Sequence, residues 1–564
     1  MKNYIKELRS KFKKYEIDGY VIPKNDDYFT EYSKLNRLEV ISNFSGSAGL
    51  AIILKNKNYL FTDGRYTIQS KIESGKNFKI YGFEKLINCS LFKNLTLGID
   101  TKLFTSTQLK NYFLKYIKIK SIEINLIDQI KKKRIRTTIP FFSLNKNIVG
   151  ESVNSKLNKI SNYLKKNRSD YIFISSPENV AWTLNIRGGD GPNSPMPNSR
   201  LIISKSKKIL LISNLKKCKK LLKNKIIKKE EFLDANYLPN KILHLKGKNF
   251  IVDDKSCSIF YENLIKSKFK IINREDPTYL LKAIKNKTEI KNMINAHISD
   301  GVALTKFLFW IKKINKKKIT EVEAAKKLEN FRKLNKNFLY PSFDTIAGSG
   351  KNGAIVHYRA KKEKCRTINK KDILLCDSGG QYKYGTTDVT RTICFSKQKQ
   401  KIKNIFTKVL KGHIAVATTN ISKDDIGKKI DKRARKFLNK SNLDYAHGTG
   451  HGVGFFLNVH EGPQSITKIN TVKIKEGMIL SNEPGYYKTN EYGIRIENLV
   501  YVKKVNKKLL FQNLTMAPIE KDLINFDLLT IDEKDYLFKY HLEVYSRISK
   551  YLNPNERKWL ASFI

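Results

Sequence analysis

No stretch of this 564-residue sequence comes near the ~18 consecutive apolar residues that a membrane span needs, so membrane insertion is not expected. The first twenty residues, MKNYIKELRSKFKKYEIDGY, carry charge throughout and lack the apolar core of a secretory signal. A soluble, cytoplasmic protein is the expectation. Cysteine is scarce: Cys89, Cys218, Cys257, Cys365, Cys376 and Cys394 form no C-x-x-C pair and no framework spacing, which argues against a zinc ribbon or a disulfide scaffold. Acidic residues are also few, 52 against 109 Lys and Arg, for a formal net charge of +57. Such a balance by itself points to nucleic acid or an anionic membrane surface. The lysines, however, are mixed with Asn and Ile along the whole length, as at 131–134 and 217–220. The charge therefore reads as compositional bias, with no specific nucleic-acid partner.

What is present is a globular composition, 40% hydrophobic and 11% aromatic, over a length that requires two to four domains. Tyr4, Ile5, Leu8 and Phe12 lie near helical spacing, and the β-like run Tyr20-Val21-Ile22-Pro23 follows. Leu50 to Leu54 and Tyr59 to Thr62 read as a strand pair around the polar turn 55–58. A basic segment at 131–137 and Pro140 mark a boundary. A helix over 153–164 and alternating strands and helices over 171–273 then predict a second α/β domain, with no sequence repeat between the two. A third unit begins near Lys285, where Asn286 and Glu289 read as a capping box for a long amphipathic helix running toward Trp310. Short β runs at 340–395 and 479–503, separated by a helical stretch over about 400–440, predict an α+β unit with an antiparallel sheet. Helical patterns at 531–552 and 554–563 close the chain. The expected limits are 1–140, 141–284, 285–504 and 505–564.

The chemistry concentrates in the third unit. An apolar run ends in Cys376-Asp377-Ser378-Gly379-Gly380, and a Thr-rich run carries Asp388; together they read as two strands that bring Asp377 and Asp388 together. Facing carboxylates in an apolar sheet repel, so either a positive group lies between them or one is protonated. Glu483 and Glu497 repeat the pattern, each a single carboxylate among β-like apolar residues. Four acids on strands plus one imidazole would make an oxygen-rich site for two hard divalent cations. The imidazole would come from the glycine-rich stretch His447-Gly448-Thr449-Gly450-His451-Gly452-Val453-Gly454.

These segments resemble the catalytic domain shared by aminopeptidase P, prolidase and methionine aminopeptidase, the pita-bread fold. Asp377, Asp388, His451, Glu483 and Glu497 are similar to that family's five-ligand dinuclear site in order and approximate spacing. Phe343 to Ile346, Ile355-Val356-His357-Tyr358 and Asn458-Val459-His460-Glu461-Gly462-Pro463 resemble the long, three-domain aminopeptidase P rather than prolidase. The likeness extends to 45–49, 62–66, 181–188 and 514–519, and so spans nearly the whole chain. It implies an α/β plus α+β architecture: two creatinase-like N-terminal α/β domains, a pita-bread catalytic domain and a C-terminal helical extension. It further implies a homodimer, two Mn²⁺ ions, and substrates with proline at the second position. Asp377 would chelate one ion, His451 and Glu483 the other, with Asp388 and Glu497 bridging.

By the same resemblance, a hydroxide held between the ions attacks the scissile carbonyl, His357 and His460 face the substrate and the oxyanion, and Glu483 carries the proton. His447, four residues before His451, is placed in the same pocket, shaping the proline subsite or donating to the intermediate. Arg495, two residues before Glu497 on one strand, is expected on the same face, orienting the carboxylates. Arg65 either reaches the peptide or forms an ion pair within Asp63-Gly64-Arg65. Two segments depart from the family pattern: 25–32 lacks the His before Glu31-Tyr32, and the region near 129–140 lacks the usual Trp and tandem Pro. A prolidase, a metal-free creatinase-like enzyme and a non-catalytic binding protein are the rivals. The extra domain and C-terminal cap disfavour the first, and the intact ligand set disfavours the other two.

Overall fold

The apolar run Tyr20-Val21-Ile22 sits at the centre of the strand Gly19–Pro23, buried at every position, as a strand covered on both faces must be. The structure, a computed structural model, describes residues 2–31, 36–87, 90–113, 117–131, 139–313 and 318–564. Tyr32, Cys89 and the basic residues 132–137 lie outside the described residues. Two compact units, Met1–Tyr279 and Leu280–Ile564, divide the chain.

In the first unit, Gly19–Pro23 pairs antiparallel with Leu50–Leu54 and parallel with Thr96–Ile99. The full sheet runs Lys79–Gly82, Asn58–Thr62, Leu50–Leu54, Gly19–Pro23, Thr96–Ile99, Lys118–Ser121. Side chains alternate across it. Tyr20 and Ile22 enter one apolar cluster with Leu8, Phe12 and Leu38, whereas Val21 enters the opposite one with Ile52, Phe61 and Phe92. A second sheet runs Phe232–Asp234, Ile209–Ser213, Arg200–Ser204, Tyr171–Ile174, Asn249–Val252, Lys270–Asn273. Its strand order and its sequence of parallel and antiparallel pairings match those of the first sheet step for step. The unit is thus a structural duplication that no sequence repeat reveals. Each deeply buried Ile or Leu contributes about 1.5–3 kcal/mol, so alternation on both faces suffices to hold either copy.

The second unit opens with the helix Lys287–Lys313, capped reciprocally by Asn286 and Glu289. Met293, His297, Asp300, Leu304, Phe307 and Ile311 line its buried face at helical spacing. Buried Asp300 accepts from Arg332 at 2.7 Å, and Arg332 donates on to Ser378 at 3.0 Å, tying helix to sheet next to Asp377. The described strand pairs of this unit are all antiparallel. The stretch over 400–440 is two helices, Gln400–Ala417 and Gly427–Asn439, and the chain closes with Ile531–Ile548 and Pro554–Ala561. No helix among the described residues is long and apolar enough to cross a membrane, and the five described cysteines are free.

Candidate metal centre

The strand Ile373–Ser378 is buried throughout, and its Asp377 lies opposite Ile346 on one side and Thr390 on the other. The chain then makes the small hairpin Gly380–Tyr382 and Gly385–Thr386 and returns as Val389–Cys394. Asp388 stands one residue ahead of that return. Glu483 stands one residue beyond the strand Ile479–Asn482, and Glu497 fills the gap between Tyr492–Arg495 and Asn498–Val505. Of the acids expected on strands, only Asp377 is within one. The other three sit just past strand ends, where a backbone freed from the ladder can turn a carboxylate inward.

The same break corrects the expectation for Arg495. It does not share a strand with Glu497; the connection runs through Thr390, which accepts from Arg495 Nε at 3.1 Å and donates to Glu497 Oε2 at 2.7 Å. Arg495 also donates to Asp377 Oδ2 at 2.6 Å.

Asp388, His451 and Glu497 each present a ligand atom within 4.8 Å of the others. His451 Nε2 lies 3.5 Å from Asp388 Oδ2 and 3.4 Å from Glu483 Oε1. Its Nδ1 is 2.9 Å from the Gly452 carbonyl, which can only accept, so the proton belongs on Nδ1 and the Nε2 lone pair faces the carboxylates. The glycines beside His451 are required by close approach: a side chain at 450 would strike the Ser481 carbonyl, and one at 452 the Glu461 carbonyl. Glu483 is held through its N–H, 2.8 Å from Thr449 O, and by Ser481 Oγ, 3.0 Å from Oε1.

This cluster is electrostatically unfavourable by itself. Burial, and then repulsion from the neighbouring carboxylates, pushes Asp388 and Glu497 well above the usual range. Burial also raises Asp377, despite Arg495. Burial opposes ionisation of Glu483 too, but His451, His447 and Arg495 outweigh it and hold that carboxyl low. Among the described residues, Asp377 Oδ1 is buried without a hydrogen-bond partner. An acceptor left bare beside crowded carboxylates and one imidazole nitrogen is a donor set for hard divalent cations, and the five residues fit a dinuclear centre.

His447 points Nδ1 at the Gly448 carbonyl, 2.7 Å away, and Nε2 at Tyr487 Oη, 2.8 Å away. Both ring nitrogens are therefore engaged within the protein, and burial lowers the imidazole to about 4. Arg495 donates to the same Tyr487 oxygen at 2.5 Å. Half-buried His460 sets its ring edge-on to His451, centroids 4.3 Å apart. His357 is half-buried in the turn after the short helix Gly350–Ala354, which follows the strand paired with Asp377. Arg65, in the first unit, forms a two-pronged pair with Asp63 at 2.7 and 3.0 Å.

Sequence reasoning missed Tyr487 and Thr390. Thr390 lies two residues from Asp388 on the strand expected to pair with that of Asp377, and the observed register sets it opposite Asp377. Tyr487 carried no local signal, because its partners come from positions 447 and 495.

Buried carboxylates gathered around an open imidazole nitrogen define a centre for divalent cations. The model for metallopeptidase family M24 matches residues 291–504, and that for its C-terminal region matches 507–562. Creatinase/prolidase N-terminal domain models match 5–125 and 132–289, one over each of the duplicated sheets. A probable Xaa-Pro aminopeptidase P from Laccaria bicolor is 36% identical over 590 residues, 98% of this chain and 92% of that one. An X-prolyl aminopeptidase from Caenorhabditis elegans, described as a cytosolic enzyme with a di-nuclear active site, superposes with a TM-score of 0.90 at 28% identity, covering 99% of this chain and 98% of its own. A prolidase from Pyrococcus furiosus, TM-score 0.50 and 25% identical, covers 98% of its own length but 63% of this one. The chain belongs to metallopeptidase family M24, and within it to the long Xaa-Pro aminopeptidases P.

Proposed function

We propose that this protein removes the residue in front of an N-terminal Xaa-Pro bond, using two divalent cations, manganese in the cell. The observation that carries the reading is the convergence of Asp388, His451 and Glu497 beside Asp377, whose buried Oδ1 has no partner. Asp377, Asp388, His451, Glu483 and Glu497 would hold the ions. When bound, the cations acidify water and polarise the scissile carbonyl. Glu483 takes the proton from the attacking water and delivers it to the proline nitrogen. That nitrogen carries no hydrogen in the peptide and must gain one to leave as an amine. His460 and His357 donate to the oxyanion, while His447, with both nitrogens engaged internally, shapes the proline subsite.

Recognition of the peptide by Arg65, a homodimer, a cytoplasmic location and the domain limits at 140, 284 and 504 belong to the same proposal. Coverage of the whole chain by aminopeptidases P favours it over a dipeptide-only prolidase. The test is hydrolysis of Arg-Pro-Pro and Arg-Ala-Ala with Mn²⁺ and after chelation. Metal-dependent release of Arg from the first alone is expected; release from neither would overturn the reading. Light scattering checks the dimer.

A further inference from the structure

The loop that carries His447 and leads into His451 contains Gly448, Gly450, Gly452 and Gly454, and so has little side-chain mass with which to fix itself. What fixes it comes from the helix Gly427–Asn439. Ile430, Asp431, Ala434, Arg435 and Leu438 form that helix's buried face, which places a charged pair one turn apart out of water. Arg435 donates to Asp431 at 2.8 Å, to Asp444 at 2.7 Å, and to the carbonyls of Tyr445 and His447 at 2.7 Å each. Its guanidinium also lies 3.9 Å from the centre of the Tyr445 ring.

Asp431 extends the clamp. Its free oxygen accepts from Thr449 Oγ1 at 2.6 Å, and that hydroxyl also meets Tyr445 Oη at 2.5 Å. The Thr449 carbonyl in turn receives the backbone N–H of Glu483 at 2.8 Å. One buried guanidinium is therefore a single bond from the backbone of His447. Through Asp431 and Thr449, two residues short of His451, it also reaches the backbone of Glu483.

We propose that Arg435 is a positioning residue of the metal centre, holding through its fork and through Asp431 the loop that places His447, His451 and Glu483. The inference rests on the function proposed above. A lysine cannot replace it, because an ammonium on a flexible stem does not reproduce a planar fork engaging two carboxylates and two carbonyls at once. Groups that orient metal ligands commonly change metal affinity by about 10–100-fold when removed.

The experiment uses the full chain, with Mn²⁺ alone as the calorimetric probe, and compares wild type with Arg435→Lys, Thr449→Val and the control Arg433→Met. Arg433 lies on the same helix in an exposed pair with Asp424. For Arg435→Lys with native circular dichroism, Mn²⁺ affinity is expected to fall about tenfold or more. Its kcat on Arg-Pro-Pro should fall with it at a KM within about twofold, because an orienting contact acts on the reacting centre rather than on uniform binding. Thr449→Val leaves Arg435 in place and removes the hydroxyl shared by Asp431 and Tyr445; a loss of about threefold or more in affinity is expected. It decides the matter should Arg435→Lys fail to fold. Arg433→Met should change neither quantity. Wild type that binds no Mn²⁺ would overturn the proposed function. Wild type that binds Mn²⁺ while a folded Arg435→Lys or Thr449→Val matches it in affinity and kcat would overturn this inference alone.

Discussion

Two buried charge clusters, one in each unit, are handled in opposite ways. In the first, Lys156 is 1% exposed yet fully engaged: its ammonium donates to Trp182 O at 2.8 Å and Asn185 Oδ1 at 2.6 Å, and sits 4.1 Å from the Trp182 ring centre. In the second, Asp377, Asp388 and Glu497 repel one another with Arg495 donating to Asp377, and among the described residues Asp377 Oδ1 has no hydrogen-bond partner. A charge buried with its hydrogen bonds complete holds a fold together. Like charges buried with bonds missing oppose the fold unless a cation completes them.

Breaking the second arrangement should have the largest effect. Asp388→Asn is expected to lower kcat by about 10³-fold or more, since metal-assisted charge stabilisation is worth several kcal/mol, while circular dichroism stays native. Retention of full activity would remove Asp388 from the site. The next largest effect is expected for Arg495→Lys, which withdraws donors from Asp377, Thr390 and Tyr487 together and should reduce kcat or Mn²⁺ affinity by about 10–100-fold.

In the first unit, Lys156→Met takes the buried donor from Asn185 Oδ1 and leaves the Trp182 carbonyl with its backbone donors alone. The unfolding free energy should fall by about 2–4 kcal/mol in denaturant titration, with Mn²⁺ binding unchanged. Equal losses of metal binding and stability would erase the contrast between the units.

The comparison is sharpened by pH. The metal-free fold binds more protons than the unfolded chain at Asp388 and Glu497, because their folded pKa values are raised. Stability from these groups is therefore complete below the unfolded carboxylate pKa, about 4, and is lost as pH rises through the folded values. In chelator, the melting temperature of wild type should fall relative to Asp388→Asn as pH increases, and Mn²⁺ should reverse the order. A constant difference across pH would contradict the repulsion. The smallest effect belongs to Arg65→Ala: its pair with Asp63 leaves the two side chains 27% and 32% exposed, and stability should change by less than about 1 kcal/mol.

Much of this was written locally. The alternation in Tyr20-Val21-Ile22, the Asn286/Glu289 cap and the isolated carboxylates at 377, 388, 483 and 497 are visible because periodicity and burial leave their mark within a few residues. The duplication of the two sheets is not, because strand order is set by pairings between distant segments that many apolar sequences satisfy equally well. The single 400–440 helical stretch resolves into two helices, with the break at the turn 418–426.

By itself, the sequence determined which residues offer donors suited to a metal and in what order, since donor type and apolar context are properties of the chain. Only the tertiary structure decided that three of the acids stand past strand ends. It also decided that Thr390 rather than a shared strand links Arg495 to Glu497, and that Tyr487 and Arg435 hold the histidine loop. Hydrogen bonds between residues forty or a hundred positions apart depend on where backbones meet, and no local pattern records that meeting.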